Sequence, residues 1–514
     1  MFASSTHASK ATDVANQVHQ LVSNWQTFDA RRILEDALKD EPGHINLRFA
    51  LGRLLFFEGD YSLALSTLDA VIGDLGDAVP EQIIRFREEV EKTHKTLKPF
   101  SEYTTPDGRF LIRYVGRDKA LLPYLTQVLQ ATDKALTEDF KYRPKGRVLV
   151  EIYPEIKYLA AVSPLTELDI ETSGTIALCK YNRLMFTSPR ALVRGYGWRD
   201  TVAHEFVHYY VTKLSANTVP IWLHEGIAKF QESRWRAAPG AKLDPPQEDL
   251  LARSLKADKL VTFQQMHPSM AKLPSQQAAS LAFAEVHTVI NFLHGLSGYN
   301  GINRLMLALK TGRSMNKSLK SVYGFDLNGL WRDWLRAMKS QGLKTYPGLF
   351  QQELEFKRPG DAEKEDDEFE VNYESMDKKK VRDFTHLGEL LRGRSRPKAA
   401  LVEYRKAISI AGQGNPVLQN GAAEALIEMS EFKEVPVVLE TVLRYYPRFL
   451  RTHLNLGQAF LKLSQPEKAI KAFEDAIGIN PFHPLPHAAL FKLYSDNNQP
   501  ELAERERKTL ELIR

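Results

Sequence analysis

The residues in this chain best able to do chemistry lie in His204-Glu205-Phe206-Val207-His208, an H-E-x-x-H pattern. Asp200 and Thr201 supply a polar first turn, and Val202, Phe206 and Tyr210 form an apolar stripe, so the spacing predicts a helix. On a helix, residues four apart project from one face, one turn apart. Two imidazoles so placed can bind a single zinc at about 2.0–2.1 Å. Glu205 is their neighbour, placed to approach a water at the metal without being a ligand. A carboxylate there can act as general base and then return the proton to a leaving amine. A surface or core helix with two unrelated histidines is the plainer reading. The amphipathic setting counts against it, and so does the next motif.

That motif is Trp222-Leu223-His224-Glu225-Gly226-Ile227-Ala228. A catalytic zinc held by two histidines needs a third protein ligand and an open position. Glu225 begins a second predicted helix after a loop containing Pro220, which can fold it back beside the first. His224 is the neighbouring alternative. The single cysteine, Cys179, rules out an internal disulfide and a thiolate zinc cluster, so any metal falls to His and carboxylate. Cys179 itself reads as a small buried residue of a strand.

The elements that must position these groups change character along the chain. Arg109–Tyr114, Arg147–Tyr153, Thr172–Leu178 and Arg183–Phe186 read as strands, with a helix over Leu121–Phe140 between the first two. From Arg199 to about Lys339 the pattern is helical. Strands first and helices after is the order of an α+β domain. On both sides the sequence repeats itself with a period of about 34 residues. Leu456-Gly457, Phe460, Ala469, Phe473, Ala476 and Pro481 match a tetratricopeptide repeat, and Leu51-Gly52, Leu55, Ala64, Leu68 and Val71 carry the same signature. Repeat blocks are expected over 10–95 and 382–514. Residues 357–380 are charged, and the acidic core Asp361–Glu370 reads as an exposed linker about which the C-terminal block should move. The expected division is 1–96 repeats, 97–345 central domain, 346–381 linker and 382–514 repeats.

With 514 residues, 43% hydrophobic and 26% charged, the composition is that of ordinary globular protein, and a net charge of +5 gives no reason to expect nucleic acid as partner. The basic stretch Arg392–Lys398 falls at a predicted turn. No apolar run is long enough to span a bilayer, so no integral membrane segment is expected. As the sequence stands it reads as cytoplasmic; Phe2-Ala3-Ser4-Ser5 would fit the scar of a trimmed signal peptide, which would make it exported and periplasmic. G-x-S-x-G, Walker A and G-x-G-x-x-G motifs are missing.

H-E-F-V-H followed by W-L-H-E-G-I-A resembles the gluzincin metallopeptidases, above all bacterial peptidase-MA-like proteins, whose domain is often fused to tetratricopeptide repeats. The resemblance covers roughly Phe100–Lys339 plus the flanking repeats. It implies an α+β central domain, with a mixed sheet and a helical subdomain, flanked by all-α repeat blocks. It also implies a zinc peptidase acting on a peptide or protein substrate, with His204, His208 and Glu225 as ligands and Glu205 as acid/base. The strand around Gly174–Leu178 would be the sheet edge that pairs with an extended substrate. The repeats would hold a protein partner. One position departs from the family. Where these proteins often carry a tyrosine, Ala282-Phe283-Ala284-Glu285-Val286-His287 has phenylalanine. His287 is then the candidate catalytic donor, with Tyr299 and Tyr323 as others. The departure also gives the competing expectation: a repeat scaffold whose metallopeptidase-like domain is inactive.

Overall fold

The computed structural model describes residues 4–346, 349, 353–357 and 378–513. Over the described residues the chain is mostly helical, with one small mixed sheet and tetratricopeptide-like helical repeats.

The sheet comprises β1 (Ser101–Thr104), β2 (Phe110–Tyr114), β3 (Val148–Tyr153), β4 (Ala177–Lys180) and β5 (Arg183–Thr187), in the order β1-β2-β3-β5-β4. β3 runs parallel to β2 and β5, while β1 and β4 are antiparallel on the two outer edges. All six residues of β3 are buried, as a central strand covered on both faces requires. Its V-L-V-E-I-Y run is therefore easy to read, whereas the short, mostly exposed Ser-Glu-Tyr-Thr of β1 has no apolar alternation to reveal it. The strand expected over Thr172–Leu178 begins only at Ala177. Glu167–Ser173 is a helix instead, opened by a Thr166/Asp169 capping box and closed by Gly174 in the left-handed region.

Paired helices form both ends of the chain. Among the described residues, five helices, Ser4–Ser23, Thr27–Asp40, Ile45–Glu58, Tyr61–Leu75 and Glu81–Leu97, precede the sheet. Eight follow residue 378, from Lys379–Gly393 to Pro500–Ile513. Proline opens five of those eight, at Pro397, Pro416, Pro466, Pro484 and Pro500, where its missing N–H costs nothing. Gly457 lets the ring of Phe473 lie against its helix; a Cβ there would come within 2.5 Å of the ring. Among the described residues, no helix is long and apolar enough to cross a membrane.

The expectation of a mobile C-terminal block meets a different arrangement. The Trp198 indole donates to the Ile477 carbonyl at 3.0 Å, and Tyr196 N–H to the Ile479 carbonyl at 3.1 Å. Tyr124 donates to Glu506 at 2.7 Å, beside His487, all three buried. Phe473, Ile477, Leu490 and Tyr494 share one continuous core with Trp198 and Phe206. The linker's charge pointed to freedom, but the apolar faces of the last repeats need cover and find it on the central region. The start of the expected linker also returns there, since Phe356 bridges Leu192 and Val193 N–H donates to the Glu355 carbonyl at 2.9 Å. Asp361–Glu370 lies outside the described residues. The N-terminal helices are equally engaged. Tyr61 donates to Glu151 at 2.7 Å, and the buried Arg183 guanidinium lies 3.3 Å from the same carboxylate.

Candidate metal centre

The H-E-x-x-H motif sits on the helix Trp198–Ser215, here the motif helix, which is buried over nearly its whole length. Phe206 packs edge-on to Phe110 of β2, centroids 5.4 Å apart, which anchors the helix to the sheet. Two consecutive left-handed residues, Ala216 and Asn217, turn the chain, and Pro220 caps the next helix, Ile221–Gln231. This ligand helix lies close against the long Gln276–Lys310 segment, itself broken at Gly298. The close approach depends on Gly226. A Cβ there would stand 2.7 Å from Ile290 Cγ1 and 3.0 Å from the Val286 carbonyl, so a larger residue would push Glu225 out of place.

His204, Glu205 and His208 come together, buried, with potential ligand atoms within 4.8 Å of one another. Glu225 joins them from the second helix. Its Oε2 lies 3.3 Å from His204 Nε2 and 3.2 Å from His208 Nε2. Tetrahedral ligands at about 2.0–2.1 Å from a zinc lie about 3.3–3.4 Å from one another. The donor set and its spacing therefore fit zinc. His224 does not converge on the same point. It stacks on His208 at 4.5 Å, and its Nδ1 lies 2.5 Å from His208 Nδ1, on the side away from Glu225.

Both histidines are held by their outer nitrogens, as metal-ligating imidazoles usually are. His208 has His224, whose Nε2 lies 3.1 Å from the Thr212 hydroxyl. Burial and the neighbouring His208 hold His224 down at about 3, so it is a neutral partner. His204 Nδ1 lies 3.4 Å from Glu232 Oε2, and Lys229 Nζ donates to Glu232 Oε1 at 2.6 Å. Burial pulls the His204 pKa down, but hydrogen bonds to Glu225 and Glu232 outweigh it and carry it to about 10. Metal uptake would thus be coupled to proton release. Glu205 is raised chiefly by burial, against the pull of His208 and His204, and its Oε2 is buried with no hydrogen-bond partner. Its carboxylate also accepts from the Cys179 N–H of β4.

A cavity of about 1070 Å³ opens over the cluster. Its walls include Gly174–Tyr181, hence edge strand β4, together with Trp25 and Phe57 from the N-terminal repeat region and Arg448 from a turn of the C-terminal one. Phe283 lines it too, its ring 5.9 Å from that of His204. His287 is not brought to the cluster. It is not part of the cavity wall, and its Nε2 bonds the Ala241 carbonyl at 2.7 Å. Tyr299 and Tyr323 are likewise absent from the wall, and Tyr299 donates to Gln231 at 2.9 Å. Sequence reasoning missed Glu232 and Arg448. Glu232 stands seven residues after Glu225, two helical turns on, which is a readable signal. Arg448 has no local signal at all.

The sequence model of the Peptidase MA superfamily matches residues 134–340, which contain every one of the cluster residues. Tetratricopeptide repeat models match residues 26–81 and 450–483. No curated protein matches the chain. Similar solved structures include MamA from Desulfovibrio magneticus, 22% identical over 26% of this chain and 75% of that one, TM-score 0.24. A thermophilic TPR protein from Thermus thermophilus is 20% identical over 25% of this chain and 72% of that one, TM-score 0.23. Yeast Tom70 is 13% identical over 95% and 89%, TM-score 0.21. Scores this low say nothing of function. The chain thus carries a Peptidase MA superfamily domain joined to tetratricopeptide repeats on both sides.

Proposed function

We propose that the chain is a zinc-dependent peptidase whose ligands are His204, His208 and Glu225, with residues 97–345 as its catalytic part. The supporting observation is that Glu225 Oε2, from a second helix, lies 3.3 Å from His204 Nε2 and 3.2 Å from His208 Nε2. Zinc, when bound, supplies a Lewis acid that polarises the scissile carbonyl and acidifies water. Glu205 takes the proton of the attacking water and passes it to the leaving nitrogen. Burial suits it to that task, because a base with a pKa raised towards neutral can both accept and return a proton. His224 and Glu232 keep the two imidazoles with Nε2 inward. The outer edge of β4 borders the cavity, and an extended substrate pairs along it beside the Cys179 N–H that Glu205 holds. The substrate class is a peptide or unfolded protein segment, and the repeats at 1–96 and 382–514 bind a protein partner.

The experiment is metal removal and return. Full-length protein is incubated with a peptide library as prepared, after chelation, and after chelation followed by one equivalent of zinc. New peptide termini should appear, vanish and reappear in step. Cleavage that survives chelation would contradict the proposal.

Phe283 favours a second reading. It presents a ring without a donor to His204, where the family often has tyrosine. On this reading the site binds metal but does not cleave, and the repeats carry the function. Stoichiometric zinc uptake with no cleavage of any library peptide would support it.

A further inference from the structure

Arg448 lies in the turn between the repeat helices Glu434–Tyr445 and Leu450–Lys462, yet it reaches the catalytic cavity. Its path is prepared. The stem lies over Gly197, where a Cβ would come within 2.9 Å of Arg448 Cδ and Nε and would displace the side chain from this path. At its end, one Nη donates to Asp200 Oδ2 at 3.0 Å, in the first turn of the motif helix. The same nitrogen lies 3.7 Å from Glu232 Oε1. Glu232 Oε2 faces His204 Nδ1 at 3.4 Å. A guanidinium from the C-terminal repeats is therefore linked to a histidine of the proposed metal set through a single carboxylate.

We infer that Arg448 is a positioning residue of the metal centre, acting through Glu232 to hold His204 with Nε2 towards the metal. The C-terminal repeats thereby set zinc affinity, and anything that shifts the Tyr446–Phe449 turn alters it. The inference rests on the zinc reading above. Lys229 also holds Glu232, at 2.6 Å, so Arg448 is one of two cations on that carboxylate. Among the described ion pairs, it alone bridges Glu232 to Asp200, that is, the end of the ligand helix to the start of the motif helix. Arg236 binds the same Asp200 at 2.7 Å, with no contact to Glu232 among the described ion pairs, which makes it the natural control.

The test is zinc affinity of the full-length protein by chelator competition. Glu232→Gln and Arg448→Gln should each weaken binding by about 10- to 100-fold, the usual cost of losing an outer partner of a metal ligand. The double variant should be no weaker than the weaker single one, because both act along one path. Arg448→Lys should recover part of the loss, and Arg236→Ala should bind as wild type does. Wild-type affinity in Arg448→Gln would overturn the inference. So would additive losses in the double variant, or an equal loss in Arg236→Ala, which would mean that any disturbance of Asp200 suffices. If wild type takes up no zinc, the metal reading itself falls, and this inference with it.

Discussion

Glu205→Gln is expected to keep one zinc per chain and to lose peptidase turnover by about 10²–10⁴-fold, the range for removing a general acid–base. The amide nearly matches the carboxylate in shape, so the helix and the two imidazoles should stay where they are. It cannot accept a proton from water. The structure adds a second expectation. Glu205 is buried, its Oε2 has no hydrogen-bond partner, and burial disfavours its charge. A neutral amide relieves that cost, so the variant should melt no lower than wild type. Structural residues behave in the opposite way, losing stability when changed, and strain retained at a site marks function. Zinc content, melting temperature and turnover of one cleavable peptide check all three points. A zinc-replete variant that still turns over would remove Glu205 from the proton path.

Removal of residues 382–514 should have an effect of comparable size, on folding rather than on chemistry. The charged linker alone suggested a C-terminal block that moves freely and so contributes little to the central fold. The contacts across the interface point the other way. Without the repeats, the Trp198 indole loses its carbonyl acceptor, Tyr124 loses Glu506, and Asp200 loses Arg448. The core shared with Phe473, Ile477, Leu490 and Tyr494 is opened to water. At about 1.5–3 kcal/mol per large apolar side chain, a few such losses are of the order of a whole domain's stability, about 5–15 kcal/mol. A chain ending near Phe356 should therefore aggregate, or melt at least about 10 °C lower, and should bind zinc poorly. Light scattering, thermal melting and zinc content measure this. A soluble truncated protein with wild-type melting and zinc would show that the interface contributes little.

What could be read from the sequence was whatever a single element records in its own spacing. The His204/Glu205/His208 face, the Glu225 that follows Pro220 and the repeat signatures around Gly52 and Gly457 are all patterns of residues within a turn or two of one another. β3 was legible because a strand buried on both faces is nearly all apolar, with Glu151 the one exception. Thr166 and Asp169 carried a helix signal that the neighbouring Thr175-Ile176-Ala177-Leu178 run outweighed. Contacts made across the chain left no such trace. Arg448 meets Asp200 and Glu232 from more than 200 residues away, and nothing near Pro447 or Phe449 marks it. The docking of the repeats was hidden for the same reason, because a charged linker describes itself and not the surfaces on either side. His287 shows the converse. Its place beside a family motif suggested chemistry, but the helix turns it towards the Ala241 carbonyl.

The most direct test of the metal centre is an anomalous-difference map collected at the zinc edge from crystals of the full-length protein grown with zinc. One strong peak per chain is expected, bonded to His204 Nε2, His208 Nε2 and a Glu225 oxygen at about 2.0–2.2 Å, with one position open towards the cavity. A peak bonded through His224 in place of Glu225, or no peak between the two helices, would contradict the assignment.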